Sequence, residues 1–356
     1  MYDDHPMFAP LVTDQFDYGT RRNSSRAWAA IILIPTLFVF FLSGCSKPST
    51  DAGGPLEKMR ITVTTIALSA PVYVAMDRGY FKQEGLDVSI QDSLTGTDAL
   101  QTVVEGKADM ATCAETPVVL NVMEGRKIYI IATIADSETL DAIVGRKDRG
   151  IFKPADLGGK VIGVPPVTNI EYFLDTFLLY HGIPKAKTRI VHMKVDELNQ
   201  ALLEGKVDAV CTWEPHLSKL QEKLGTNGQA FYSEGTYRLT WHIVAMQDFV
   251  KKNPGAVKKM LRALIRANAF IIEHPDSAQQ ITANYLRVDR APVATPWKGY
   301  NFSVTLSQST LISLGDQARW VMQSRGAKRT NIPDYLGVFY LEGLKSIDPT
   351  LVSVEN

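Results

Sequence analysis

Two segments of the chain, about a hundred residues apart, carry nearly the same sequence. Residues 105–109 read Glu-Gly-Lys-Ala-Asp and residues 204–208 read Glu-Gly-Lys-Val-Asp, and in each copy a glutamate stands six positions after the aspartate. In both copies an apolar helical run ends just before the glycine, a residue that closes helices, and a short apolar run follows. The repeat therefore predicts helix, turn, buried strand and loop twice over, and with them two similar lobes.

The similarity extends upstream of the two segments. Strand-like residues 61–66 lead into a helical run that begins at Pro71, and strand-like residues 161–164 lead into one that begins near Thr168. Residues 168–171 predict a capping box, in which the Thr168 hydroxyl and a glutamate carboxylate each accept a terminal N–H. Because ligands of parallel α/β sheets bind beyond the carboxyl ends of strands, we expect these loops to face a shared cleft.

Short apolar runs alternate with amphipathic helices through the middle of the chain, which predicts an α/β fold with mostly parallel strands. A strand pattern resumes at Trp241, and long helical patterns follow after residue 246. We expect the chain to leave the first lobe near residue 144 and to return near residue 238, so that two crossings form a hinge. Lobe 1 would comprise residues 58–143 and 239–356, and lobe 2 residues 144–238.

The beginning of the chain has the features of an export signal. Three arginines precede an apolar run at residues 27–42, which ends in Leu-Ser-Gly-Cys at Cys45. The run is short for a membrane span, and the final tetrapeptide matches the box at which bacterial lipoproteins are cleaved and lipidated. We predict a signal peptide at residues 1–44, a lipid on Cys45 and a flexible Ser-, Pro- and Gly-rich tether at residues 45–57. An uncleaved anchor with an incidental cysteine is the alternative.

Charge and cysteine usage limit the functional classes. The chain has 38 basic and 38 acidic residues and no block of like charge, so nucleic-acid binding through a basic surface has no support. Beyond Cys45 only Cys113 and Cys211 remain, one in each repeat. We expect buried free thiols, because facing lobes would hold the two too far apart to bridge, with a cross-lobe disulfide as the alternative.

Motifs of catalysis are missing from the sequence. There is no Gly-rich phosphate loop, no His-x-x-x-His or Cys-x-x-Cys spacing and no Gly-x-Ser-x-Gly elbow. Of the histidines, only His242 is expected near the cleft, where a structural role is the simpler interpretation. We therefore predict no catalytic residue, no metal and no cofactor.

Several short motifs together resemble the periplasmic solute-binding proteins of taurine, aliphatic-sulfonate and nitrate transporters, a group that includes thiamine-pyrimidine-type binders. The resemblance runs from about residue 59 to 331. The motifs are Ala70-Pro71, Gly79-Tyr80-Phe81, residues 84–88 (Glu-Gly-Leu-Asp-Val), Ala99-Leu100-Gln101 with Gly106 and Asp109, residues 156–160 (Asp-Leu-Gly-Gly-Lys), and Asp208-Ala209-Val210 with Trp213-Glu214-Pro215.

The resemblance implies a two-lobed periplasmic-binding-protein fold of type II, with ligand trapped between the lobes. It implies a monomeric, non-enzymatic protein on the extracytoplasmic face, anchored by its lipid, that delivers a small solute to an ABC permease and its ATPase. Two alternatives fit the same sequence: a solute-sensing lipoprotein without transport, and an enzyme of the same fold that resembles pyrimidine synthases.

Candidate ligand-binding residues lie on the loops that should face the cleft. A small polar residue is usual at position 115 in oxyanion-binding members, so the carboxylate there argues against a bare anion such as nitrate. We expect a ligand with an anionic oxygen docked at the helix beginning at Thr168, and with a donor group for Glu115 and Glu214. The candidates are Ser69, Ala70, Tyr73, Thr95, Gly96, Glu115, Thr168, Asn169, Trp213 and Glu214.

Overall fold

The computed structural model describes residues 55–325 and 331–355. The calls on the signal peptide, on Cys45 and on most of the tether lie outside these residues. The strands, in chain order, are β1 Glu57–Thr64, β2 Leu86–Ser93, β3 Met110–Ala114, β4 Ile128–Ser137, β5 Asp141–Arg146, β6 Val161–Val164, β7 Arg189–His192, β8 Ala209–Trp213, β9 Gly228–Phe231, β10 Leu239–Met246 and β11 Tyr300–Thr305.

The helices surround two separate sheets. In chain order they are α1 Ala70–Asp77, α2 Tyr80–Gln83, α3 Gly96–Val104, α4 Glu115–Met123, α5 Asn169–Tyr180, α6 Val195–Leu203, α7 His216–Leu224, α8 Gln247–Lys252, α9 Pro254–Glu273, α10 Pro275–Leu286, α11 Ala291–Ala294, α12 Gln308–Arg325 and α13 Leu341–Lys345.

The strands form a six-stranded sheet of order β11-β4-β10-β3-β1-β2 and a five-stranded sheet of order β7-β6-β8-β5-β9. The prediction of mostly parallel strands is confirmed for strand direction, because among the described strands β10 and β11 in the first sheet and β5 in the second run against the others. β1 runs parallel to β2 and β3, and β6 to β7 and β8, but β10 and β5 enter their sheets antiparallel. Each of these strands follows directly on a crossing from the other sheet, so its direction is set by where the chain arrives.

The two sheets repeat one arrangement, as the paired sequence segments predict. The order β2-β1-β3-β10 in the first sheet corresponds to β7-β6-β8-β5 in the second, with the same parallel and antiparallel relations. The matching segments form α3 with β3 and α6 with β8. The chain passes between the sheets at residues 138–140 and again at residues 232–238.

Helices α9, α10 and α12 form where the sequence shows long amphipathic runs. In α9 the buried residues recur every three or four positions, which places one apolar face against α1 and β11. The predicted helical run after Pro71 is instead broken, because Gly79 adopts a left-handed φ of 69° between α1 and α2.

Cys113 and Cys211 are both buried and unbridged, as predicted. Burial raises the pKa of both thiols above the usual value for cysteine. They therefore pack as small apolar side chains in the two strands of the repeat.

Candidate binding cleft

A cleft of about 390 Å³ lies between the two sheets. Its walls come from the ends of strands in both sheets and from the first turns of the helices that follow them. No lysine, arginine or histidine lies among the described residues that line it, and much of the lining is apolar. The lining residues are Thr64, Ile66, Leu94, Thr95, Gly96, Thr97, Ala114, Pro117, Leu140, Asp141, Thr168, Asn169, Trp213, Leu239 and Trp241.

Five of the ten candidates from the sequence line this cleft: Thr95, Gly96, Thr168, Asn169 and Trp213. Thr95 is the N-cap of α3, and its hydroxyl oxygen accepts the backbone N–H of Asp98 at 3.1 Å. A Cβ on Gly96 would lie 2.9 Å from the Cβ of Cys113, so only glycine lets α3 approach β3 this closely. The chain therefore reaches the cleft with bare backbone at this point.

Thr168 begins α5, but the predicted capping box is wrong. Its hydroxyl donates to the carbonyl of Pro165 at 3.0 Å and caps no helical N–H. The Glu171 carboxylate accepts the N–H of Val167 at 2.7 Å, one residue earlier than a capping box requires. Val167 has a φ of 64°, which turns its N–H toward Glu171. The first turn of α5 therefore reaches the cleft wall without a side-chain cap.

Three candidates, Ser69, Ala70 and Tyr73, are buried behind the cleft and do not line it. The Ser69 hydroxyl accepts the indole N–H of Trp241 at 3.1 Å and donates to the carbonyl of Thr64 at 2.9 Å. The Tyr73 hydroxyl donates to the same carbonyl at 3.2 Å. These side chains therefore fix residues that do line the cleft.

Glu115 is fully buried at the start of α4, and protein groups occupy its carboxylate. Its Oε1 accepts the Tyr237 hydroxyl at 2.7 Å and the Gln317 amide at 2.8 Å, and its Oε2 accepts the Thr240 N–H at 3.2 Å. Burial raises the pKa of Glu115, and these hydrogen bonds partly oppose that rise. The carboxylate therefore needs no donor from a ligand.

Glu214 lies in a separate small pocket of about 290 Å³, together with Tyr300 and Pro215. Its carboxylate accepts the hydroxyl of Ser218 at 2.8 Å and the N–H of the same residue at 3.2 Å. Burial raises the pKa of Glu214. The two glutamates of the repeat thus end in different surroundings, and neither lines the cleft.

Asp141 is a charged lining residue that sequence reasoning missed. It opens β5 directly opposite Trp213 of β8 and is 4% exposed. Its Oδ2 accepts the Asn169 amide N–H at 2.7 Å, whereas its buried Oδ1 has no hydrogen-bond partner within the described part of the chain. Burial, with the charge of Glu115 nearby, raises the pKa of Asp141 well above the usual value. The available signal was a charged residue at the start of an otherwise apolar strand.

Each sheet contributes a tryptophan to the cleft, Trp213 at the end of β8 and Trp241 near the start of β10. His242, expected near the cleft, is instead buried between strands with its ring nitrogens bonded to Thr133 and Thr240. Burial lowers the pKa of His242 to about 3, so the ring is neutral at physiological pH.

A hydrogen bond spans the mouth of the cleft. The Thr97 hydroxyl on α3 donates to the carbonyl of Val167 at 2.7 Å, and the two residues are 70 positions apart in the chain. Both residues line an outer chamber of about 1080 Å³ that shares Leu94, Thr95, Thr97 and Thr168 with the inner cleft. This bond joins loops that follow strands of different sheets.

Within residues 55–325 and 331–355 no group of three or more His, Cys, Asp or Glu side chains is arranged to hold a metal ion. No helix in the same ranges is both long and apolar enough to cross a membrane.

The chain has two similar α/β sheets with a cleft between them, and this arrangement defines the class of two-lobed binding proteins. The fold class predicted from the sequence is therefore confirmed. Solved structures confirm this fold. The alkanesulfonate-binding protein SsuA of Xanthomonas axonopodis, bound to MOPS, superposes with a TM-score of 0.71 at 15% identity and covers 81% of this chain and 99% of its own.

Residues 67–278 match the family model described as NMT1/THI5 like, and the chain belongs to this family. A formylaminopyrimidine-binding protein of Halalkalibacterium halodurans is 23% identical over 252 residues, 69% of this chain and 76% of its own. The taurine-binding periplasmic protein of Escherichia coli is 25% identical over 224 residues, 62% and 69% of the two chains. The family resemblance inferred from the sequence is thereby confirmed.

Proposed function

We propose that the protein is the extracytoplasmic solute-binding component of an ABC importer and captures a small polar solute as its two lobes close. The observation that carries the proposal is the cleft, because both sheets supply its walls and the hydrogen bond from Thr97 to Val167 joins them at its mouth. The cleft lies at strand ends and helix starts of both sheets, where parallel α/β sheets bind small ligands. Relatives that bind taurine or formylaminopyrimidine support a solute of this size.

The division into lobes is part of the proposal. Lobe 1 holds the six-stranded sheet and the carboxyl-terminal helices, and lobe 2 holds the five-stranded sheet. Since β5 begins at Asp141 and already belongs to the second sheet, we place the crossings at residues 138–140 and 232–238, a few residues before the boundaries drawn from the sequence. These crossings would bend when the cleft opens.

We assign ligand contact to the five predicted residues that line the cleft and add Asp141 to them. Ser69, Ala70 and Tyr73 are assigned to the support of this wall, and Glu115 and Glu214 to the structure of their own lobes. The proposed contact set is Thr95, Gly96, Asp141, Thr168, Asn169 and Trp213.

Anchoring through Cys45 is proposed from the sequence alone. The lipid would hold the protein at the membrane while residues 45–57 let it reach the permease. Replacing Cys45 by Ala is expected to release a soluble protein whose ligand affinity is unchanged, measured by cell fractionation and calorimetry. A Cys45→Ala variant that stays in the membrane fraction, or that binds more weakly, would refute the tether.

The binding role is tested by a thermal-shift screen with sulfonates, nitrate, amino acids, amidines and aminopyrimidines. A ligand present at a hundredfold its dissociation constant adds about 2.7 kcal/mol to the free energy of unfolding. We expect at least one compound to stabilise the protein and to lose most of this effect in Trp213→Ala. Transport and sensing differ in cells: deletion of the gene abolishes uptake of that compound if the protein delivers it to a permease, and leaves uptake intact if the protein only senses.

A further inference from the structure

Asp141 presents to the cleft an acceptor atom that no group in the described part of the chain uses. Asp141 Oδ1 is buried and has no hydrogen-bond partner among the described residues, although the other oxygen of the same carboxyl is held by Asn169. A buried polar atom without a partner costs free energy, so such atoms in native proteins call for an explanation. Here the unpaired atom belongs to a residue that lines the binding cleft, which makes a bound ligand the natural partner.

Electrostatics decide the sign of charge that this cleft accepts. Among residues 55–325 and 331–355, the ionisable groups that interact electrostatically with Asp141 are Glu115, Tyr237, Tyr300 and Cys211, and none of these four is basic. No lysine, arginine or histidine lines the described cleft. An anion would therefore meet no basic side chain, only the uncapped first turn of α5, and there it would approach the Asp141 carboxyl, which Asn169 holds at that turn. A cation would find one buried carboxylate to pair with.

The remaining wall suits an apolar or aromatic body next to that charge. Trp213 and Trp241 contribute indole rings from the two sheets, and Pro117, Leu140 and Leu239 add aliphatic surface. Indole faces attract cations as well as apolar groups, so the same rings favour a positively charged head. A small inorganic ion such as nitrate has no apolar surface to bury against these walls.

We propose that Asp141 is the specificity-determining residue of the cleft and that its Oδ1 accepts an N–H from a small cationic ligand with a flat or apolar body, such as an amidine or a protonated aminopyrimidine. This inference rests on the proposed binding function and names the ligand class for the same cleft. The sequence predicted an acidic acceptor for a donor group but assigned it to Glu115 and Glu214. In the structure Asp141 provides it.

Asn169 orients this acceptor. Its amide N–H fixes Asp141 Oδ2 at 2.7 Å, so the carboxyl cannot rotate without losing a buried hydrogen bond. Burial raises the pKa of Asp141 in the empty protein, and a bound cation favours ionisation of the carboxyl. Affinity for a permanently cationic ligand is therefore expected to rise with pH as Asp141 ionises.

Three compounds of equal size test the charge preference directly: benzamidine is a cation, benzamide is neutral and benzoate is an anion. Calorimetry at neutral pH is expected to show benzamidine binding to the wild-type protein at least about ten-fold more tightly than benzamide, with benzoate weakest. Asp141→Asn is expected to remove this preference while leaving benzamide binding nearly unchanged. Asp87 is an exposed residue of β2, so Asp87→Asn is the control for removing one negative charge from the protein outside the cleft.

The pH dependence of the affinity for benzamidine is a second measurement. The affinity is expected to increase with pH in the wild-type protein and to become independent of pH in Asp141→Asn. Tightest binding of benzoate, or a benzamidine preference that survives in Asp141→Asn, would overturn the inference and leave the binding function standing. The inference also fails if none of the three compounds binds with a dissociation constant of about 10 mM or tighter, which corresponds to a binding free energy of about 2–3 kcal/mol. The screen of wider solutes then decides the proposed function separately.

Discussion

At the scale of single residues, the carboxyl of Asp141 is the clearest conflict between stability and binding. Its pKa is raised in the folded protein, so the native state holds this proton more tightly than the unfolded chain does. Stability then falls as pH rises above the ordinary pKa of aspartate, about 4. Asp141→Asn is expected to raise the free energy of unfolding by about 1–3 kcal/mol at pH 7–8 and to change it little near pH 4. Urea unfolding at both pH values measures this.

A variant that is less stable than the wild type at every pH would contradict this account of Asp141. The predicted gain also separates the binding test from misfolding, because a stabilised variant that loses its ligand has lost a contact and not its fold.

Glu115 has the opposite character, because four donor groups of the protein surround it. Glu115→Ala leaves buried donors of Tyr237, Thr240 and Gln317 without an acceptor and is expected to destabilise the protein by about 3 kcal/mol or more. Chemical denaturation measures the loss. Glu124→Ala, at the exposed end of the same helix, is the matched control and is expected to stay within about 0.5 kcal/mol of wild type. Equal effects of the two variants would refute the structural role.

At the scale of elements, the bond between α3 and the loop before α5 controls the mouth of the cleft. Thr97→Val removes the 2.7 Å hydrogen bond to the Val167 carbonyl but keeps the shape of the side chain. Ligand dissociation is expected to speed up about two- to ten-fold, the range of one ordinary hydrogen bond, with little change in stability. Stopped-flow tryptophan fluorescence measures the rate. Thr97→Ser retains the hydroxyl and should behave as wild type, and an unchanged rate in Thr97→Val would show that this bond does not hold the closed cleft.

Elements were predictable from the sequence where the signal is local. The long helices after residue 246 were predicted, since an amphipathic pattern as long as that of α9, between Pro254 and His274, leaves few alternatives. The direction of β5 and β10 was not predictable, because these strands pair with segments far away in the chain. The capping box at Thr168 failed for a related reason: residue types define the motif, but the φ of Val167 decides which N–H meets the glutamate.

At the scale of the whole molecule, the repeated segments were enough to predict two similar lobes and the loops that build the cleft. The exact donors and acceptors were beyond reach, because a single turn of backbone decides whether a carboxylate faces solvent, a ligand or its own lobe. Glu115 and Asp141 illustrate this. Glu115 follows buried β3 of the six-stranded sheet, and Asp141 opens buried β5 of the five-stranded sheet. Only the packing of α12 and of the returning strand reveals that Glu115 is already occupied.

The central claim is that a small solute binds between the lobes. Calorimetry tests it most directly, with each compound of the solute panel titrated into the purified wild-type protein and into Trp213→Ala. The account predicts that a compound binds the wild-type protein with one-to-one stoichiometry and loses at least about ten-fold in affinity in Trp213→Ala, since the indole forms part of the wall. A compound that binds both proteins with equal affinity, or a panel in which nothing binds the wild type, would contradict it.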